Sequence, residues 1–98
     1  MTVYHTKNGN KVCIAVSGKI DTTNAHQFEA AVKELIEGTS ELTFDMNGLE
    51  YISSAGLRVL LVAQKTMNKQ GTMKLINVSK PIMEIFDITG FTDILTIR

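Results

Sequence analysis

Hydrophobic residues along the chain recur with periods of about two and about 3.6 residues, and these patterns predict alternating strands and helices. Two strand-like segments, "TVYHT" and "KVCIAVSG", flank the turn sequence Asn8-Gly9-Asn10, which predicts an opening β-hairpin. The next segment, residues 21–38, has apolar residues at helical spacing. We expect Asp21 or Thr22 to cap this helix and Gly38 to end it.

The second half of the chain repeats the alternation. The segment "ELTFDM" predicts a strand with one polar face, and a helix is predicted from a serine pair, Ser53-Ser54, to about Gln70. A strand in "TMKLINV", a short helix in "SKPIMEIFDITG" and a closing strand in "ILTI" follow. The predicted order is β-β-α-β-α-β-α-β. It indicates one α/β domain, residues 1–98, with a mixed but mainly parallel sheet and helices packed mainly on one face.

Composition and charge exclude several classes of function. Ten Lys plus Arg balance ten Asp plus Glu, so the chain has no basic field for nucleic acid or an anionic membrane surface. No apolar run is long enough to span a bilayer, and the N-terminus has no signal-peptide pattern. A single cysteine, Cys13, suits a reducing compartment, and we expect a cytoplasmic protein.

The stretch "YISSAGLRVLL" contains the candidate functional residues. A serine at a helix start satisfies a free backbone N–H, and one serine suffices for that cap. Gly56 is costly in a first helical turn, and without a Cβ it would allow another backbone or a partner to approach closely. Two interpretations stay open: the pair is only a cap, or one hydroxyl is presented for chemistry.

An enzyme is not expected. A serine hydrolase would place its nucleophile in G-x-S-x-G, but Ile52 stands where the first glycine belongs. Nothing in the sequence places a histidine, His5 or His26, beside an acid or near Ser54. No phosphate-binding loop or metal-ligand spacing occurs, so neither a cofactor nor a metal is predicted. We expect Cys13 to be a small buried hydrophobe.

Two segments, "SGKIDTTNAHQF" and "LTFDMNGLEYISSAGLRVLL", resemble the STAS domain, specifically the bacterial anti-sigma factor antagonists. The family's G-x-[apolar]-D motif is matched by Gly18, Ile20 and Asp21. Its phosphorylatable serine lies two positions before a glycine, after a strand ending in an acid, which corresponds to Ser54 and Asp45. Many members have Asp directly before the acceptor. This chain has Ser53 there, so Ser53 is the alternative acceptor, and Ala55 follows where other members have a second serine.

The resemblance implies a partner-switching cycle. The unphosphorylated antagonist would bind an anti-sigma factor that is also a serine kinase, and the sigma factor would be freed. Phosphorylation of Ser54 would release the complex, and a serine phosphatase would reset it. The predicted partner-binding residues are Asp21, Thr22, Asp45, Ser53, Ser54, Ala55, Gly56 and Arg58. The alternative is a STAS subunit that docks on a lipid- or anion-transport ATPase without a phospho-switch.

Overall fold

The structure, a computed structural model, describes residues 1–98 and contains four strands and three α-helices. The strands are β1 (Thr2–Asn8), β2 (Lys11–Ile20), β3 (Glu41–Ile52) and β4 (Thr72–Ile76). The helices are α1 (Ala25–Ile36), α2 (Ser54–Gln70) and α3 (Lys80–Thr89), followed by a 3-10 turn, Phe91–Asp93. The predicted succession of elements is confirmed up to α3.

The four strands form one sheet in the order β1-β2-β3-β4. β1 pairs antiparallel with β2 across the turn at Gly9, so the predicted hairpin is confirmed. β2, β3 and β4 pair in parallel, as strand–helix–strand connections require. The sheet is therefore mixed and mainly parallel, as predicted.

The core lies between the helices and one face of this sheet. In the first half of β3, Leu42, Phe44 and Met46 are buried and the residues between them are partly exposed; after Met46 the next buried residues are Leu49 and Ile52. The Phe44 ring meets the Phe28 ring of α1 edge to face, with centroids 6.1 Å apart. Each fully buried ring contributes about 2–3 kcal/mol of hydrophobic stabilisation. We call the opposite, partly exposed side of the sheet the open face.

The two longer helices are fastened to each other at their C-terminal ends. The Gln70 side-chain amide donates to the carbonyls of Ile36 and Thr39, at 2.8 and 2.7 Å. α2 ends at Gly71, where only glycine fits because a Cβ would overlap the Ser40 carbonyl oxygen. The Thr72 N–H donates to that carbonyl at 2.9 Å, so the carbonyl oxygen cannot move aside without losing this hydrogen bond.

The predicted closing strand is shorter than expected. After the 3-10 turn, the Leu95 N–H donates to the Phe91 carbonyl. Leu95 belongs to the segment predicted as the closing strand, and this local hydrogen bond replaces a strand pairing there. Only a single parallel bridge, Leu75 to Ile97, joins the C-terminal residues to β4. The prediction of a full fifth strand is therefore wrong.

Two local predictions are also wrong. Cys13 is only half-buried, because its position in the β2 alternation puts it on the open face between Thr6 and Thr43. The first helix begins later than predicted, at Ala25, so neither Asp21 nor Thr22 occupies its cap position.

We predict that Gln70→Met lowers the free energy of unfolding by about 1–2 kcal/mol, because the substitution keeps the aliphatic length but removes two hydrogen bonds. Lys69→Met is the matched control, since Lys69 is exposed and forms no ion pair. Urea unfolding of both variants measures the difference. Equal stability of the two variants would show that Gln70 does not tie the helices together.

Candidate functional site

The candidate site lies where β2 and β3 end side by side. Ile20 is the register partner of Ile52, and the Ser53 N–H donates to the Ile20 carbonyl at 2.8 Å. Asp21 follows the first strand and the serine pair follows the second. The structure therefore brings together Asp21 and Ser53, two of the predicted partner-binding residues.

The two serines have different roles in the structure. Ser53 is the N-cap of α2: its hydroxyl accepts from the Gly56 N–H at 3.3 Å, and only 6% of the residue is exposed. Ser54 is the first helical residue, is exposed, and its hydroxyl makes no hydrogen bond within the chain. The cap interpretation therefore applies to Ser53, whereas the Ser54 hydroxyl is exposed and takes no part in the cap.

Gly56 does not leave space for a partner, contrary to the sequence interpretation. A Cβ at this position would lie 2.7 Å from Cγ1 of Ile52 and 2.8 Å from Cγ2 of Ile20. The missing side chain is therefore needed for the chain's own packing, since it lets the first turn of α2 rest on the strand ends. Gly56 is buried, and Ala55 is half-buried against the core.

Asp21 is held in a turn between β2 and α1. Its Oδ1 accepts from the N–H and the hydroxyl of Thr23, at 2.9 and 2.6 Å, and from the Asn24 N–H at 3.2 Å. The Asn24 side chain accepts in return from the Asp21 N–H at 2.9 Å. The hydrogen bonds from the Thr23 hydroxyl and then from its N–H hold the pKa of the Asp21 carboxyl below its usual range. Asp21 is thus a fixed negative charge beside the serine pair, and Thr22 is exposed at the tip of the same turn.

Asp45 does not belong to this cluster. It was predicted as a strand-end acid, but β3 continues for seven further residues to Ile52 and contains two register irregularities against β2. Asp45 lies opposite Ala15, whereas Asp21 comes six residues after Ala15 along β2. At about 3.3 Å per residue this separates the two carboxylates by roughly 20 Å. Asp21 and Asp45 therefore do not lie at the same sheet edge.

The remaining predicted residue, Arg58, is exposed and forms no ion pair. It follows Ser54 by four helical residues, so the two side chains lie on the same face of α2. Sequence reasoning missed Tyr51, which is 45% exposed just before the serine pair. It also missed Thr23 and Asn24, although the run "DTTN" is typical of side-chain-bonded turns.

The geometry gives no support to hydrolase chemistry. Neither His5 on β1 nor His26 in the first turn of α1 is hydrogen-bonded to Ser54. No helix is long and apolar enough to cross a membrane.

Comparisons with known proteins identify the family to which this α/β domain belongs. The STAS domain model matches residues 2–98, and the chain belongs to this family. It is 33% identical over 92 residues to the anti-sigma-B factor antagonist of Bacillus subtilis, which covers 93% of this chain and 84% of that protein. It is 37% identical over 84 residues to BtrV of Bordetella bronchiseptica, provisionally named an anti-sigma factor antagonist, covering 84% of this chain and 72% of that protein.

Solved structures agree with the fold. The anti-sigma factor antagonist SpoIIAA of Bacillus, in its unphosphorylated form, superposes with a TM-score of 0.84 at 17% identity, covering 99% of this chain and 88% of that one. Its phosphorylated form gives a TM-score of 0.76 at 17% identity, covering 99% and 91%. The predicted STAS fold is confirmed.

We predict that Ser53→Ala lowers the free energy of unfolding by about 1 kcal/mol, because the helix cap is lost. Ser54→Ala is the matched control and should change it by less than about 0.5 kcal/mol, as an exposed and unbonded hydroxyl would. Chemical denaturation of both variants measures this. A larger loss for Ser54→Ala than for Ser53→Ala would reverse the assignment of the cap.

Proposed function

We propose that this protein is an anti-sigma factor antagonist regulated by phosphorylation of Ser54. In the unphosphorylated state it binds an anti-sigma factor that is also a serine kinase, and a sigma factor is freed. The kinase then phosphorylates Ser54 and the complex dissociates, until a serine phosphatase restores the hydroxyl. The chain itself acts as a binder and a substrate, not as an enzyme.

The observation that most supports this proposal is the division of roles between the two serines. Because Ser53 already caps α2, the Ser54 hydroxyl is exposed and has no structural task. A kinase can modify it without breaking a hydrogen bond of the fold. Its Oγ would attack the γ-phosphorus of ATP, ADP would leave, and the hydroxyl proton would pass to a base of the kinase.

The names of the relatives support the same role. The Bacillus subtilis relative is an anti-sigma-B factor antagonist, and SpoIIAA has been solved with and without phosphate. These statements concern those proteins. They make an anti-sigma factor the partner to test first for this chain.

The physics of a phosphate at Ser54 is compatible with a switch. The phosphate adds about −1.5 to −2 charges at neutral pH. At a helix N-terminus this charge gains roughly 0.3–1 kcal/mol, so the fold should survive. In a protein interface an unpaired charge costs about 2–5 kcal/mol, which weakens binding by roughly 30- to 4,000-fold.

Two neighbours of Ser54 would strengthen the effect of the phosphate. The fixed carboxylate of Asp21 adds negative charge at the same sheet edge. Arg58, one turn along α2, is free to pair with an acidic residue of the partner. A phosphate on Ser54 would compete for Arg58 and so remove that contact from the interface.

We predict that Ser54→Ala folds normally and binds its partner persistently, whereas Ser54→Asp folds but binds weakly. The measurement is a pull-down from lysate of the source organism with wild type and both variants as baits, with mass spectrometry to locate phosphate on Ser53 or Ser54. A kinase-like protein retained by the alanine variant and lost by the aspartate variant is the expected result. Equal retention of a transport ATPase by all three baits would instead favour the docking-subunit function and refute the switch.

We further predict that Arg58→Glu weakens binding to the purified anti-sigma factor by about tenfold or more, because like charges then face each other across the interface. Lys69→Glu makes the same change of charge about 16 Å further along α2 and should leave the affinity within about twofold. Calorimetric titration compares the two variants. Unchanged affinity for Arg58→Glu would place Arg58 outside the partner surface.

A further inference from the structure

We propose that the open face contains a slot, formed by Tyr4, Ala15 and Asp45, that binds an arginine side chain of a partner protein. This site is separate from Ser54. It does not depend on the proposed phosphorylation and would remain if that proposal failed.

The strand register creates the slot. Tyr4 of β1 is the partner of Ala15, and Ala15 is the partner of Asp45 in β3, so the three residues form a row across the sheet. Neighbouring strands lie about 4.8 Å apart, which puts the Cα atoms of Tyr4 and Asp45 roughly 10 Å from each other. Because the middle residue has only a methyl group, the two longer side chains flank a gap. The structure has a depression of about 210 Å³ here, which Ser17 and Gly48 also line.

The Asp45 carboxylate is fixed in place but not neutralised. Its Oδ1 accepts from the Asn47 N–H at 3.0 Å and from the Asn77 side-chain amide at 3.1 Å. Its Oδ2 accepts no hydrogen bond, and no lysine or arginine forms an ion pair with it. The charge also acts across the open face: the pKa of the Cys13 thiol is raised by burial and further by Asp45, against an opposing effect of Lys74. One carboxylate oxygen is thus positioned and available to a ligand.

Tyr4 provides the other wall. It is 68% exposed on the edge strand, where no further strand covers it. An aromatic face attracts a cation, and a planar guanidinium can stack on the ring while its N–H groups donate to a carboxylate. An ammonium group cannot stack in this way, so the pair of walls favours arginine over lysine. The Asp45 carboxylate and the exposed Tyr4 ring together favour an arginine side chain in the slot.

The test is an NMR titration of the isotope-labelled protein with N-acetyl-arginine amide. Its neutral isostere, N-acetyl-citrulline amide, and N-acetyl-lysine amide are the ligand controls. We expect shifts of Tyr4, Ala15, Ser17, Asp45 and Gly48 with the arginine compound, and weaker or no shifts with the other two.

Variants of the protein distinguish binding in the slot from non-specific binding of the arginine compound elsewhere on the surface. Asp45→Asn keeps an oxygen for the Asn47 and Asn77 donors, so the fold should persist while the affinity for N-acetyl-arginine amide falls about two- to fivefold. Tyr4→Leu should produce a similar loss. Asp87→Asn removes an exposed carboxylate from α3 and is the matched control, with no change expected.

Three outcomes would overturn the proposal. The first is that Asp45→Asn responds to the arginine compound as wild type does. The second is that the citrulline or lysine compound shifts the NMR signals of the same residues as much as the arginine compound does. The slot would then not be selective for a guanidinium group. The third is that dilution without any ligand shifts these residues. In that case a second copy of the chain, which has only Arg58 and Arg98 as arginines, would occupy the slot.

Discussion

The close contact between the first turn of α2 and the ends of β2 and β3 determines the candidate site. This contact requires that position 56 be glycine, because any Cβ there would meet Ile20 and Ile52 within 2.8 Å. It also uses the hydrogen bond from the Ser53 N–H to the Ile20 carbonyl. With the backbone fixed at both points, Ser53 turns inward as the cap and Ser54 turns outward. The exposed hydroxyl is therefore a consequence of core packing.

Much of the architecture could be predicted because it depends on local patterns. The alternation in "ELTFDM" places Leu42, Phe44 and Met46 on the core side, and the structure agrees. The turn at Gly9 and the end of α2 at Gly71 were also evident from residue type. The closing strand could not be predicted in the same way, because a 3-10 turn competes for the same residues and period alone cannot decide between them.

The site was harder to predict, since its geometry depends on register. The strand "ELTFDM" continues far beyond its last predicted residue, and this extension moves Asp45 away from Asp21. The sequence also could not divide the roles of the two serines, because either can cap a helix. Gly56 was interpreted as leaving access for another backbone or a partner, whereas its neighbours are the side chains of two isoleucines of the same chain. Only the tertiary structure shows which atoms occupy the space where a side chain at position 56 would lie.

The separation of Asp45 from Asp21 has a consequence for regulation. The chain has no net charge, so a phosphate on Ser54 would be a large local perturbation in an otherwise balanced field. Its influence would decay over a Debye length of about 8 Å at physiological salt. The slot at Asp45 lies roughly 20 Å from the Ser54 edge by the strand rise, and little of that charge would reach it. The phosphate would therefore act strongly on the surface around Ser54 and weakly on the slot at Asp45, so binding at the two surfaces would be controlled separately. A partner held at the open face would stay bound while a partner at Ser54 was released.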